Sequence, residues 1–217
     1  MNLLVLPGVY APQDDTALLA EALAEEPLAP GARVLDVGTG SGALALAAAR
    51  RGARVTAVDV SRRAVATVRL NARLAGLRVR AVHGDLFAPV SAETFDLVLA
   101  NPPYVPAPPT GREPRGAARA WDAGGDGRLV LDRICRDAPP LLRPGGALLL
   151  VHSALSDAGR TVGALRAAGL RTAVTEHRWV AFGPVMRARQ SWLRDRGLLT
   201  DEDDKEELVV IRAERQR

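Results

Sequence analysis

Short apolar runs alternate with amphipathic stretches along the whole chain. Arg33-Val34-Leu35-Asp36-Val37 is nearly continuous in apolar character and runs into a glycine loop, which predicts a strand over 33–37 buried on both faces. A helix is predicted over 43–50, a second strand over 54–58, and a helix over 61–75 with Ser61 as N-cap and Gly76 as its stop. Further strands are expected over 79–82, 95–100 and 147–151, helices over 128–142 and 156–168, and late strands over 171–175 and 207–211. Pro144-Gly145-Gly146 reads as a turn. Strands that alternate with helices in this way predict an α/β fold: a mostly parallel sheet with helices on both faces.

Three stretches depart from that rhythm. Residues 1–30 read as an N-terminal segment and a helix. Residues 102–128, rich in Pro, Gly and Arg, form a connection too long for a plain turn, and 105–127 is expected to serve the substrate. Residues 182–207 form an extended connection before the last strand, with a helix predicted over 184–196 and a solvated acidic loop at 201–204. The expectation is a single domain over 1–217.

Composition narrows the class. Apolar residues make up 47% and charged residues 25% of 217, a soluble globular balance that excludes disorder as the main state. No apolar run reaches the ~18 residues of a membrane span, and the start lacks the basic region of a secretory leader. Cys135 is the only cysteine, so neither an internal disulfide nor a cysteine zinc cluster is available, and a cytoplasmic protein is expected. His152 and His177 lack carboxylate partners at ligand spacing, so no metal is expected. The net charge is +4, and 28 of 29 basic residues are arginine. With aromatics at 4% and the arginines scattered in sequence, this reads as codon bias rather than as a nucleic-acid surface.

The chemistry gathers at strand ends. Asp36-Val37-Gly38-Thr39-Gly40-Ser41-Gly42 follows the first strand and opens a helix, where glycines let the backbone approach a ligand. Gly38-x-Gly40-x-x-Ala43 also satisfies the loose dinucleotide fingerprint, so the glycines alone do not choose a cofactor. Asp36 does: a carboxylate there suits a cationic amino-acid group and repels a pyrophosphate. Asp59 ends the second strand, where an acid can grip ribose hydroxyls, and Asp85 follows the third. Asn101-Pro102-Pro103-Tyr104 follows the fourth. Its prolines stiffen the loop, and the Asn101 oxygen with the Pro102 carbonyl can accept both hydrogens of one NH2 group and aim its nitrogen, with Tyr104 against the planar group.

Together these motifs resemble a class I S-adenosylmethionine (SAM) methyltransferase of the amino-methylating kind, over residues 9 to about 155. Val9-Tyr10-x-Pro12-x-x-Asp15-Thr16 with Leu18-Leu19, and Ala120-Trp121-x-Ala123-Gly124-x-x-Gly127-Arg128, are similar to the release-factor glutamine methyltransferases. The resemblance implies a Rossmann-like domain with a seven-stranded sheet. It implies that Thr16, Asp36, Gly38, Gly40, Gly42, Asp59, Asp85, Leu86 and Asn101 bind SAM, and that Asn101, Pro102 and Tyr104 hold the reacting glutamine of a Gly-Gly-Gln motif in a translation release factor. Arg112, Arg115 and Arg119, between this clamp and Trp121, are expected to dock the protein acceptor, with Trp121 as the loop's anchor. Relatives with a small activator subunit leave that partner open here. An adenine-N6 methyltransferase on DNA or RNA is the first rival, since its NH2 fits the same clamp. An NAD-dependent oxidoreductase and a SAM-binding regulator without activity follow.

Overall fold

The computed structural model describes residues 3–109 and 116–217. Helix α1 (Asp14–Glu25) opens the chain, with Asp14 and Asp15 in its first turn, where the helix dipole favours acids. It buries Leu18, Leu19, Ala22 and Leu23, the one-sided stripe of a helix laid on a sheet. Strand β1 (Arg33–Val37), helix α2 (Ala43–Arg50), strand β2 (Arg54–Asp59), helix α3 (Arg62–Leu74) and strand β3 (Val79–His83) follow in βαβ order. Ser61 caps α3 by accepting from the Ala64 N–H at 3.3 Å. Then come strand β4 (Phe95–Ala100), helix α4 (Leu131–Asp137), strand β5 (Leu142–Ser153), helix α5 (Ala158–Ala167), strand β6 (Leu170–Ala181), helix α6 (Pro184–Asp195) and strand β7 (Lys205–Arg215).

The seven strands form one sheet in the order β3-β2-β1-β4-β5-β7-β6. β7 runs antiparallel to both of its neighbours, so the other six share one direction. The central strands β1, β4 and β5 are buried on both faces, and this explains their unbroken apolar runs. From β1 the chain winds outward to β3, then returns to place β4 on β1's other side. A crevice opens at that reversal, at the carboxyl ends of β1 and β4, where ligands of open α/β sheets bind.

The structure corrects three expected elements. The helix expected over 128–142 is confined to Leu131–Asp137, with a 3-10 turn at Pro139–Leu141, because Pro139 and Pro140 lack N–H donors and crowd the preceding turn. Pro144-Gly145-Gly146 is not a turn between elements but part of β5, where the β4–β5 register shifts between Phe95 and Leu97. A side chain at Gly146 would sit 2.9 Å from the Phe95 carbonyl, so only glycine allows the strands to close there. β6 and β7 run well past the short strands expected, pairing from Leu170 with Arg215 to Ala181 with Lys205. The outer half of β6 faces water and carries polar residues, so no apolar run marks it, and β7 extends past its buried run 208–211 at both ends.

Candidate active site at the carboxyl edge of the sheet

The topology brings the four sequence motifs to one edge. Asp36 lies near the end of β1 and Asp59 at the end of β2, while Asp85 and Asn101 follow β3 and β4. Asp36 is 1% exposed. Its Oδ2 accepts from Thr39 Oγ1 at 2.6 Å and from the Ala45 N–H at 3.0 Å, which pins the glycine loop to the start of α2. Its Oδ1 is buried and has no partner among the described residues. Burial pushes this carboxyl up to about 7, against which the two donated hydrogen bonds work only in part. A buried, half-satisfied acid of this kind is an incomplete site for a cation.

The loop's backbone requires its glycines. Gly42 has φ 86°, and a side chain there would meet Leu46 at 2.9 Å and Val68 at 3.1 Å. Gly40, at φ 54°, faces Tyr10, so the N-terminal segment lies over the loop. Asp59 ties loop to sheet: Oδ2 accepts from the Gly40 N–H at 2.9 Å, and Oδ1 from the Ser61 N–H at 2.7 Å. Burial raises its carboxyl, while these donors and the nearby His83 and Arg119 pull it down. Asp85 is exposed and pairs with Arg133 of α4 at 2.6 Å. Leu86 holds φ 45°, a left-handed backbone that costs a non-glycine residue roughly 1 kcal/mol or more. Such strain clusters at ligand sites, and Leu86 is one of the residues the resemblance assigns to the cofactor.

Asn101 is aimed by a relay that begins on α1. Asp15, buried, accepts from Thr16 Oγ1 at 3.1 Å; Thr16 Oγ1 in turn accepts from Asn101 Nδ2 at 3.2 Å. A carboxylate only accepts, so the Thr16 hydroxyl must donate to it and offer its lone pair to an N–H. That fixes the Asn101 amide with its nitrogen inward and leaves its Oδ1 as the free acceptor. The other oxygen of Asp15 accepts from Tyr10 at 2.8 Å and from Tyr104 at 3.1 Å. Tyr104 is 9% exposed, and its hydroxyl is held well above its ordinary pKa, first by burial and then by the Asp15 charge. Its phenol is thus buried, with its hydroxyl bound to Asp15 of α1. Glu206, at the start of β7, is also buried, and burial raises its carboxyl with Asp15 adding to the effect.

Pro102 is buried and Pro103 half-buried beside Asn101. The segment beyond them is held from three sides. Val105 and Asp122 form a bridge, the Val105 N–H donates to the Trp121 carbonyl at 2.9 Å, and Trp121 packs half-buried on the core. Gly127 has no room for a side chain: a Cβ would stand 2.3 Å from the Tyr104 carbonyl. Arg128, 2% exposed, donates to Asp132 at 2.8 Å, to the Asp157 carbonyl at 2.9 Å and to Thr161 at 3.0 Å. From α6, Arg189 pairs with Asp122 and donates to the Pro106 carbonyl at 3.0 Å. The extended connection of residues 182–207 thereby braces the segment around Pro106 and Asp122. Arg119 is exposed on a 3-10 turn (Gly116–Ala120), near enough to Asp59 to lower its carboxyl. Arg112 and Arg115 lie outside the described residues.

Sequence reading missed Tyr10, Asp15, Glu206, Arg128 and Arg189 as parts of this site. Asp15 reads as a helix-start acid, which it also is, and Glu206 falls in the connection before the last strand, just past the acidic loop at 201–204. His83 and Cys135 are structural: the ring bonds the Val60 carbonyl at 3.0 Å, and the thiol is buried and pushed up to about 11. His152, fully buried, is lowered to about 4 by desolvation and is neutral at pH 7. Among the described residues there is no cluster of His, Cys, Asp and Glu able to hold a metal, and no helix is long and apolar enough to cross a membrane.

Comparison with known proteins agrees with this geometry. Residues 1–111 match the methyltransferase small domain family. A putative protein N5-glutamine methyltransferase of Methanocaldococcus jannaschii is 32% identical over 181 residues, covering 83% of this chain and 90% of that one. A release factor glutamine methyltransferase of Geobacter sulfurreducens is 39% identical over 159 residues, covering 69% of this chain but only 55% of the longer relative. The E. cuniculi Mtq2–Trm112 complex, described as responsible for methylation of the eRF1 translation termination factor, superposes with a TM-score of 0.66 at 24% identity, over 96% of this chain and 99% of that one. The chain belongs to the methyltransferase small domain family and, within it, to the protein glutamine methyltransferases.

Proposed function

We propose that this protein transfers a methyl group from S-adenosylmethionine to the side-chain amide nitrogen of a glutamine, and that the acceptor is the Gly-Gly-Gln motif of a translation release factor. The observation that carries the reading is the Asp15–Thr16–Asn101 relay, which engages the Asn101 side-chain nitrogen and leaves its oxygen to accept, on a residue whose backbone lies beside Gly38 of the glycine loop. An oxygen so placed accepts one hydrogen of an NH2 group, and the Pro102 carbonyl offers a place for the other. Held at both hydrogens, an amide nitrogen presents its face in one direction, and this orientation is the enzyme's main contribution.

The site fits a cationic cofactor. Asp36 has a buried oxygen without a partner, and Asp59 stands half-exposed at the next strand end. Thr16, Asp36, Gly38, Gly40, Gly42, Asp59, Asp85, Leu86 and Asn101 would hold SAM, whose sulfonium methyl is an electrophile that needs no metal or covalent intermediate. Asp36 would supply negative charge from a buried position, where it counts for more than in solvent. Arg119, close enough to Asp59 to act on its carboxyl, is the described arginine of the expected acceptor-docking set, and Trp121, packed on the core, would anchor its loop.

Incubation with labelled SAM and a folded release factor tests the reading. One methyl on the glutamine of Gly-Gly-Gln, located by fragment mass spectrometry and abolished when that glutamine is replaced, supports it. Methyl appearing on adenine of an oligonucleotide and never on the factor would assign the clamp to the nucleic-acid rival.

A further inference from the structure

Arginines that are scattered in sequence converge in space at the edge of the sheet opposite the active site. A cleft of about 1130 Å³ opens there between the starts of the strands and the C-terminal half of α3. Seven of its lining residues are arginines, and Glu93 is its one acid. The cleft therefore holds a surplus of six positive charges, more than the +4 of the entire chain, so everything outside it sums to a slight negative charge.

Part of that charge is already answered. Glu93 bridges Arg33 at 2.9 Å and Arg80 at 2.7 Å, and Asp96, just behind, pairs with Arg143 at 3.1 Å. Arg54, Arg69, Arg73 and Arg78 are exposed, and none has a carboxylate partner among the described residues. Arg73 lies in the last turn of α3, where the helix dipole alone favours a cation. Arg54 opens β2 and Arg78 immediately precedes β3, so the dipole gives neither a reason to be basic. β3 is an edge strand, and charges of either sign would protect it from pairing with another chain. The uniform sign around the cleft is what that protection leaves unexplained.

We propose that this cleft binds the phosphate backbone of an RNA strand, at a site separate from methyl transfer. Guanidinium forks match phosphate oxygens in pairs; Arg69 already donates to the Ala81 carbonyl at 2.9 Å, while Arg54, Arg73 and Arg78 have no side-chain partner among the described residues and can do so. Nothing here reads bases: Phe95, the aromatic among the lining residues, is buried beneath the Arg33 guanidinium, 5.4 Å from its ring centre. The cleft is concave and offers no projecting helix or ribbon to a duplex groove. A backbone-reading concavity suits the single-stranded and looped segments that folded RNA presents. The proposal does not depend on which protein glutamine is the acceptor.

Fluorescence anisotropy with a labelled single-stranded RNA, the DNA strand of the same sequence and polyglutamate tests it. RNA should bind most tightly, with log K falling against log salt at a slope of about −2 to −3, the value for three to four phosphates at ~0.7 each. Arg54→Glu/Arg73→Glu/Arg78→Glu should weaken RNA binding roughly tenfold or more, while the three lysine replacements retain a salt-dependent complex. SAM affinity and methyl transfer should be unchanged in both variants, which shows that the fold is intact and separates this result from the acceptor assay. RNA binding that survives the triple glutamate change would overturn the assignment of the cleft. Equal or tighter binding of the DNA strand or of polyglutamate would overturn the assignment to RNA.

Discussion

The two ends of one sheet carry opposite chemistry. At the carboxyl ends of the strands stand Asp36, Asp59, Asp85, Asp15 and Glu206; at the amino ends stand Arg33, Arg54, Arg78 and Arg143. Some of this polarity is built into any parallel α/β fold, because helix N-termini gather at one edge and C-termini at the other, and their dipoles favour acids and bases respectively. Charge alone therefore identifies neither site. Hydrogen bonding separates them further: among the described residues Asp36 and Glu206 each keep a buried oxygen without a partner, whereas Asp96 at the other edge accepts from the Arg33 N–H at 2.7 Å and from Arg143. Of the acids of the first edge, Asp15, Asp36 and Glu206 are buried, while Arg54, Arg73 and Arg78 of the second are exposed and without a carboxylate partner among the described residues.

The sharpest way to break this contrast is at the clamp. Asn101→Ala should lower kcat about 100-fold, the scale for losing one positioned polar group at the reacting atoms, and leave SAM affinity near normal. A matching fall in SAM affinity would make Asn101 a cofactor residue rather than an acceptor clamp. Asp59→Ala should weaken SAM binding by about 1.5–3 kcal/mol, as for a hydrogen bond to a charged group, read by calorimetry. The same substitution at Arg78, on the opposite edge, should leave it unchanged.

Gly127→Ala tests the loop brace. Its Cβ would press on the Tyr104 carbonyl in a left-handed backbone, so stability should fall by about 1–3 kcal/mol in thermal or denaturant unfolding. Wild-type stability in this variant would show that the clamp loop gives way.

The mildest effect is with pH. Burial raises Asp36 from its ordinary 3.8 to about 7, so in the free protein it is neutral below about pH 7 and charged above. A cation binds the charged form, so SAM affinity should rise from pH 6 to pH 8, and Asp36→Asn should flatten that rise. The sign for stability is opposite. A raised folded-state pKa means the native state holds a proton that the unfolded chain has lost, so the cofactor-free protein should lose stability as pH rises from about 4 to about 7. Asp36→Asn should remove that slope as well.

Much of this was legible in the sequence because it rests on local rules. Apolar runs identified the buried strands, Ser61 and Gly76 bounded α3, and the spacing of Asp36, Asp59, Asp85 and Asn101 placed one polar group after each of four strands, which any parallel sheet brings to one edge. Where local rules competed, the tertiary structure decided. Pro144-Gly145-Gly146 has turn chemistry, yet pairing with β4 absorbed it into a strand. β6 is an edge strand held by β7 alone, so much of its length has no apolar pattern. Asp15 and Glu206 lie 191 positions apart and became one buried pair only when β7 was inserted beside β5. The arginines of the cleft are spread over residues 33–143, and their convergence follows from strand starts that lie side by side. Sequence alone determined which groups end each strand, since that depends on neighbours a few residues away; which distant groups meet, and which buried oxygens lack a partner among the described residues, depends on the packing of the whole sheet.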